Sequence, residues 1–176
     1  PSAPAKRPAL PLPTGSARAQ GQESESREKV RGLRRAIHDA MHRSMSTAAH
    51  FTYVDDVDCT NLVEARRRLK PAAERYGLRL NYLPFVAKAS LLALNAFPKM
   101  NGSMDDSAGE MVIKHHKHLG IAAATDAGLT VPTIRHADGL TLLELTAAIA
   151  DLGDKARRNA LMPKEVGGST FTISSL

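Results

Sequence analysis

Seven histidines, a single cysteine and a C-terminal pair of serines are the first residues of this 176-residue chain to test for chemistry. His115, His116 and His118 fall together, which raises a metal site. Adjacent strand residues point to opposite faces, so His115 and His116 cannot easily share one ion. No Cys or Glu stands at a helpful spacing, and the cluster reads as solvent-facing or hydrogen-bonded side chains. His38 and His42 are i, i+4 neighbours on a helix face, as in HExxH zinc sites. Asp39 and Ala40 follow His38, so the Glu of that motif is missing. No metal site is expected. In His136-Ala-Asp138-Gly139, Asp138 and Gly139 are explained by a turn between a strand and a helix. Ser174 and Ser175 lack both a nucleophile elbow and an evident base. As an oxyanion donor, Ser174 needs only a hydroxyl aimed at a developing charge. From the residues alone, a serine in a sheet remains the plainer reading.

The elements that must position these groups follow from periodicity. Residues 1–23 are rich in Pro, Ala, Gly and Ser without hydrophobic repeat, and read as a flexible linker. The domain is expected over residues 24–176 and, because the sequence stops inside an apolar strand, is expected to be incomplete at its C-terminus. Leu33, Ile37, Met41 and Met45 mark one helix face. His50 to Asp58 suggests a strand through Phe51, Tyr53 and Val57. A helix over Leu62–Tyr76, capped by Thr60 or Asn61, ends at Gly77, and Pro71 should kink or split it. Leu83–Phe97 is apolar nearly all round, which predicts a helix buried on most faces. Short strands are expected over Met100–Met104, Glu110–His115, Leu119–Ala124 and Leu129–Ile134, with a hairpin turn at Asp126–Gly128. Leu142, Leu145, Ile149 and Leu152 define a last amphipathic helix. Ser169–Leu176 alternates as a strand, with Phe171 and Ile173 on one face and Thr170, Thr172 and Ser174 on the other.

Composition narrows the function classes. A net charge of +6 is compatible with nucleic acid, an anionic membrane or a phosphorylated ligand. The bases are dispersed, aromatics are few and no nucleic-acid motif accompanies them, so nucleic acid is not the expected partner. The longest apolar stretch, Leu83–Phe97, carries Lys88 and Asn95 and is shorter than the roughly 20 residues that span a bilayer. A soluble protein is expected, without a membrane partner. A lone Cys59 suits a reducing compartment.

In order along the chain, seven stretches resemble the catalytic domain of dihydrolipoamide acyltransferases, the core components of 2-oxo acid dehydrogenase complexes. They are Leu33–Met45, His50–Asp58, Leu83-Pro-Phe85 with Lys88-Ala, Phe97–Asn101, Leu119–Ala122, Gly128–Pro132 and Gly168–Ser174. The resemblance implies an α/β fold, a two-layer sandwich of mixed sheet and helices like chloramphenicol acetyltransferase. It implies a homotrimer assembling into a larger core, and upstream domains that bind the decarboxylase and dihydrolipoamide dehydrogenase components. Coenzyme A is the implied ligand, and the lipoyl group would be carried covalently on a separate upstream domain. The compartment would be the bacterial cytoplasm or the mitochondrial matrix.

The implied reaction moves an acyl group between a dihydrolipoyl thiol and coenzyme A. The resemblance assigns oxyanion stabilisation to Ser174 and ligand contacts to Ser174 and Ser175, although the family often has Asn at the second position. It assigns coenzyme A contacts to Arg66, with Arg67 as the fallback if the register slips, and to Asn81. The family's base lies in a His-x-x-x-Asp-Gly motif; His136-Ala-Asp138-Gly139 has only one residue in the gap, so the chain is expected to be inactive alone. Tyr53–Asp58 and Leu69-Lys-Pro71 resemble branched-chain members most, which implies a branched-chain acyl group. A non-catalytic core scaffold and a free-standing coenzyme A-dependent acetyltransferase of small molecules are the alternatives.

Overall fold

The computed structural model describes residues 25–126 and 128–174, so the expected linker and Ser175 lie outside the described residues. The chain divides into two units, residues 1–55 and 56–176, each treated by itself.

In the first unit, α1 (Gly32–Thr47) carries Leu33, Ile37, Met41 and Met45 along one face, as their spacing predicts. None of its residues is buried. The strand expected within His50–Asp58 does not form. A strand needs a partner for its backbone groups, and no described segment pairs with this one; Phe51 remains 90% exposed.

In the second unit, α2 (Thr60–Glu74) begins where the Asp58 carboxylate accepts from the Thr60 backbone N–H at 2.9 Å and its hydroxyl at 2.6 Å. Asp58, rather than Thr60 or Asn61, therefore supplies the cap. The helix runs unbroken through Pro71, which does not split it. Pro71 denies a donor to the Arg67 carbonyl, but both residues are exposed and water can take that role. Gly77 (φ 69°) supplies the left-handed residue that stops the chain from continuing as helix.

Helix α3 (Leu83–Ala96) buries Pro84, Ala87, Leu91 and Leu94. Val86 and Leu92 stay exposed, so it is covered on one face rather than on most. A 3₁₀ turn at Pro98–Asn101, in which the Met100 N–H donates to the Phe97 carbonyl at 3.0 Å, takes up the start of the next expected strand. Strands β1 (Gly102–Asp105) and β2 (Glu110–Ile113) then form an antiparallel hairpin. The Asp105 carboxylate, accepting from Ser107 and Ala108, shapes its loop.

The two expected strands over 119–124 and 129–134 are each divided, into β3 (Leu119–Ile121) and β4 (Ala123–Thr125), and β5 (Gly128–Thr130) and β6 (Thr133–Ile134). All their pairs nevertheless share one antiparallel register, from Leu119 opposite Ile134 to Thr125 opposite Gly128. Pro132 accepts from the Ile121 N–H at 3.0 Å but lacks the N–H that would answer it, while Ala122, whose N–H faces the other neighbour, donates to the Ile173 carbonyl at 2.9 Å. Strand β7 (Phe171–Ile173) lies parallel to β3, giving a mixed sheet ordered β6-β3-β7. Gly120 permits this close approach: a Cβ there would come within 2.8 Å of Val131 and 2.9 Å of Thr172.

Helix α4 (Leu142–Arg157) opens with a capping box between Thr141 and Glu144, a Thr-x-x-Glu pattern legible in the sequence. Its Leu145 and Leu152 join Ala87 and Leu91 of α3, Leu119 and Ile121 of β3 and Ile134 of β6 in one core. Helices on one side and a mixed sheet on the other make the expected two-layer α/β arrangement within this unit. Lys155, held by Asp151 at 2.6 Å and Glu165 at 2.8 Å, ties α4 to the 3₁₀ turn at Pro163–Glu165. No helix among the described residues is long and apolar enough to cross a membrane.

Candidate functional site

Between the segment ahead of α3, the β3–β4 junction and α4 lies a cleft of about 490 Å³. Its floor is apolar, from Leu83, Ile121, Pro132 and Leu152, while Ala122 and Gly153 keep its walls thin. Arg79, Asn81 and Arg157 are its polar lining. The local sequence explains two of these. Leu80 is 1% exposed, and alternation in a non-helical segment turns Arg79 and Asn81 together to the opposite side. The Asn81 carboxamide oxygen also accepts from the Leu83 N–H at 3.2 Å, fixing it at the mouth of α3.

Asn81 is thus the sequence-identified residue that lines the cleft. Arg66 stands behind it: its Nε donates to the Leu80 carbonyl at 2.9 Å, and its guanidinium lies 4.8 Å from the Tyr82 ring centre. Arg67 points from the exposed side of α2. Ser174 is exposed just beyond β7 and does not line the cleft, but it follows Ile173, whose carbonyl is bonded to the cleft residue Ala122. Arg79 and Arg157 were not singled out as ligand contacts from the sequence. The signal for Arg79 was its two-residue step to Asn81; Arg157 had only its place among the bases ending α4.

The histidines gather elsewhere in this unit. The rings of His116 and His118 are 4.5 Å apart, and those of His118 and His136 are 4.6 Å apart. His118 is 9% exposed, and its Nδ1 accepts from the His136 backbone N–H at 3.1 Å. Its own backbone N–H donates to the Thr170 hydroxyl, joining β3 to the segment before β7. Burial, reinforced by the charges that His116, His136 and Arg135 can bring, holds the His118 imidazole below its ordinary pKa. His118 is therefore a hydrogen-bonded interior histidine. His136 adopts a left-handed conformation (φ 49°) and leads into the 3₁₀ turn Ala137–Gly139, the turn that Asp138 and Gly139 predict. Lys88 Nζ holds that turn through the Leu140 carbonyl at 2.6 Å. Among the described residues, no group of His, Cys, Asp and Glu side chains is placed to hold a metal ion.

Residues 22–176 match the profile of the 2-oxoacid dehydrogenases acyltransferase catalytic domain. The acetyltransferase component of the pyruvate dehydrogenase complex of Bacillus subtilis (strain 168) is 42% identical over 164 residues. That match takes in 93% of this chain but 37% of the relative, so the chain spans little more than a third of the relative's length. A solved structure of Azotobacter vinelandii dihydrolipoamide acetyltransferase, concerned with the catalytic roles of a serine, a histidine and an asparagine, superposes with a TM-score of 0.81. It is 35% identical and covers 95% of this chain and 68% of its own. The cubic core of a pyruvate dehydrogenase multienzyme complex matches equally, with a TM-score of 0.81, 34% identity and the same coverage. By profile, sequence and fold together, this chain belongs to the acyltransferase catalytic-domain family of the 2-oxo acid dehydrogenases.

Proposed function

We propose that the protein transfers an acyl group between a dihydrolipoyl thiol and coenzyme A, and that the cleft bordered by Asn81 receives the coenzyme. The observation that carries this reading is the cleft itself. Its apolar, thin-walled floor suits a slender pantetheine arm, and its guanidinium-bearing lining suits phosphates. Asn81 contributes an amide beside the arm, and Arg66 supports the rim from behind.

Chemically, a thiol gives up its proton and attacks the thioester carbonyl. The resulting oxyanion collapses to expel the other sulfur, which takes up a proton. Ser174 is the residue we assign to donate a hydrogen bond to that oxyanion. Ser175 is the second assigned ligand contact. No His-x-x-x-Asp-Gly sequence occurs in these 176 residues, and no base is assigned among them.

Acetyl is the acyl group we favour, because the relatives reported above serve pyruvate dehydrogenase complexes. The branched-chain acyl group that Tyr53–Asp58 and Leu69-Lys-Pro71 suggest is set aside on that ground. By the same family relationship we propose a homotrimeric unit within a larger core, and lipoyl, decarboxylase and dihydrolipoamide dehydrogenase partners reached through other domains. Cytoplasm or mitochondrial matrix is the proposed setting.

The test is an acyl-transfer assay of the natural full-length protein with acetyl-, isobutyryl- and succinyl-coenzyme A. Acetyl transfer is expected to dominate, with kcat falling about 100-fold in Ser174→Ala, the scale of one lost oxyanion donor. Transfer of no acyl group would leave a non-catalytic scaffold as the function, and an unchanged kcat would remove Ser174 from the mechanism.

A further inference from the structure

We propose that Thr170 is a positioning residue for acyl transfer: its hydroxyl clasps the start of β7 to His118 and so fixes the register of the strand that leads into Ser174. The inference rests on the assignment of Ser174 as the oxyanion donor and deepens it.

Strand β7 is three residues long, so few ladder bonds hold it beside β3. Side chains alternate along a strand, and a slip of one residue would turn Ser174 to the opposite face. A bond at each end opposes that slip. At the far end the Ala122 N–H donates to the carbonyl of Ile173, the residue before Ser174, at 2.9 Å. At the near end His118 and Thr170 exchange two bonds. The Thr170 backbone N–H donates to the His118 carbonyl at 2.7 Å, and the Thr170 hydroxyl accepts from the His118 N–H at 3.1 Å. The second of these belongs to a side chain and therefore depends on the residue type at position 170.

The anchor is well held. His118 is buried, and its Nδ1 accepts from the His136 backbone N–H at 3.1 Å. Between the two clasps, Thr172 and Ser169 sit close over Gly120, where a Cβ would come within 2.9 Å of Thr172 Oγ1 and 3.0 Å of Ser169 Cβ. Removing the Thr170 hydroxyl leaves the His118 N–H without its side-chain acceptor and loosens the near end of β7. An oxyanion donor acts by being in place before charge develops, so a displaced Ser174 lowers kcat. Asn81, Arg79 and the α4 residues of the cleft belong to other elements, and binding of the coenzyme should not follow that displacement.

Acetyl transfer between acetyl-coenzyme A and dihydrolipoamide, measured on the natural full-length protein, tests the role. Thr170→Val removes the hydroxyl at similar shape and should lower kcat roughly tenfold, with KM for acetyl-coenzyme A within about twofold of wild type. Thr170→Ser retains the hydroxyl and should keep kcat within about threefold of wild type. In a Ser174→Ala background, Thr170→Val should lower kcat by no more than about twofold, because no hydroxyl remains to be positioned. Thr170→Ala carries the same comparison should the valine variant not fold. A further tenfold loss in the Ser174→Ala background, or a rise in KM as large as the fall in kcat, would make Thr170 a general support of the fold and overturn the role. A wild-type kcat in Thr170→Val, or an equal loss in Thr170→Ser, would overturn it as well, and each of these results leaves the Ser174 assignment standing. Ser174→Ala as fast as wild type would instead remove that assignment and this inference together.

Discussion

Helices α1 and α4 are both sixteen residues long and both carry apolar side chains at helical spacing, yet they end in opposite environments. Leu145 and Leu152 of α4 enter the core with α3 and the mixed sheet, and the helix opens on a reciprocal Thr141–Glu144 cap. On α1 the equivalent stripe runs from 43% exposed at Ile37 to 63% at Met45, with no side-chain cap at its start. Periodicity thus specifies which face of a helix is apolar, and says nothing about whether anything covers it. A helix of this length is marginal in water when packing does not support it.

The largest effect expected from this contrast is on stability. Leu145→Ala should cost about 2–5 kcal/mol in denaturant unfolding, the range for emptying a fully buried leucine site. Ile37→Ala should change stability by no more than about 0.5 kcal/mol, as an exposed substitution does. Equal costs would show that the α1 stripe is buried in solution, and would dissolve the contrast.

A smaller effect follows from pH, because the unit of α4 also holds His118. Its pKa is depressed in the folded chain, whereas in the unfolded chain it returns to about 6.5. The unfolded state therefore binds more protons as pH falls through about 6.5, and stability declines from there down to the folded pKa. Thermal unfolding between pH 7.5 and pH 5 should show this loss. His118→Asn, which can still accept from the His136 N–H, should flatten the profile; an identical profile would acquit His118.

Much of this fold is legible in the residues themselves. Gly77, Pro84, the Asp126–Gly128 turn, and the alternation of Phe171 and Ile173 against Thr172 and Ser174 all occupy the positions their chemistry predicts. Tertiary partners are not local, and the sequence reading failed where they decide. Phe51 and Tyr53 have strand-forming types but pair with no strand among the described residues, and α3 is apolar all round yet covered on one side. One register unites Leu119–Ile134, but Pro132 lacks the N–H that would complete its ladder. Of the site, Asn81 was legible through family resemblance. Arg79 and Arg157 are 78 residues apart in numbering and become neighbours of one cleft only through the packing of α4 beside β3 and β4.

The central claim is that the cleft beside α4 receives coenzyme A, and backbone amide shifts on adding the coenzyme to the isotopically labelled protein test it most directly. The account predicts the largest shifts at Asn81, Ala122 and Gly153, with those of His116 and Ala137 near the histidine cluster unmoved. Shifts centred on the histidine cluster, with Asn81 and Gly153 silent, would contradict it.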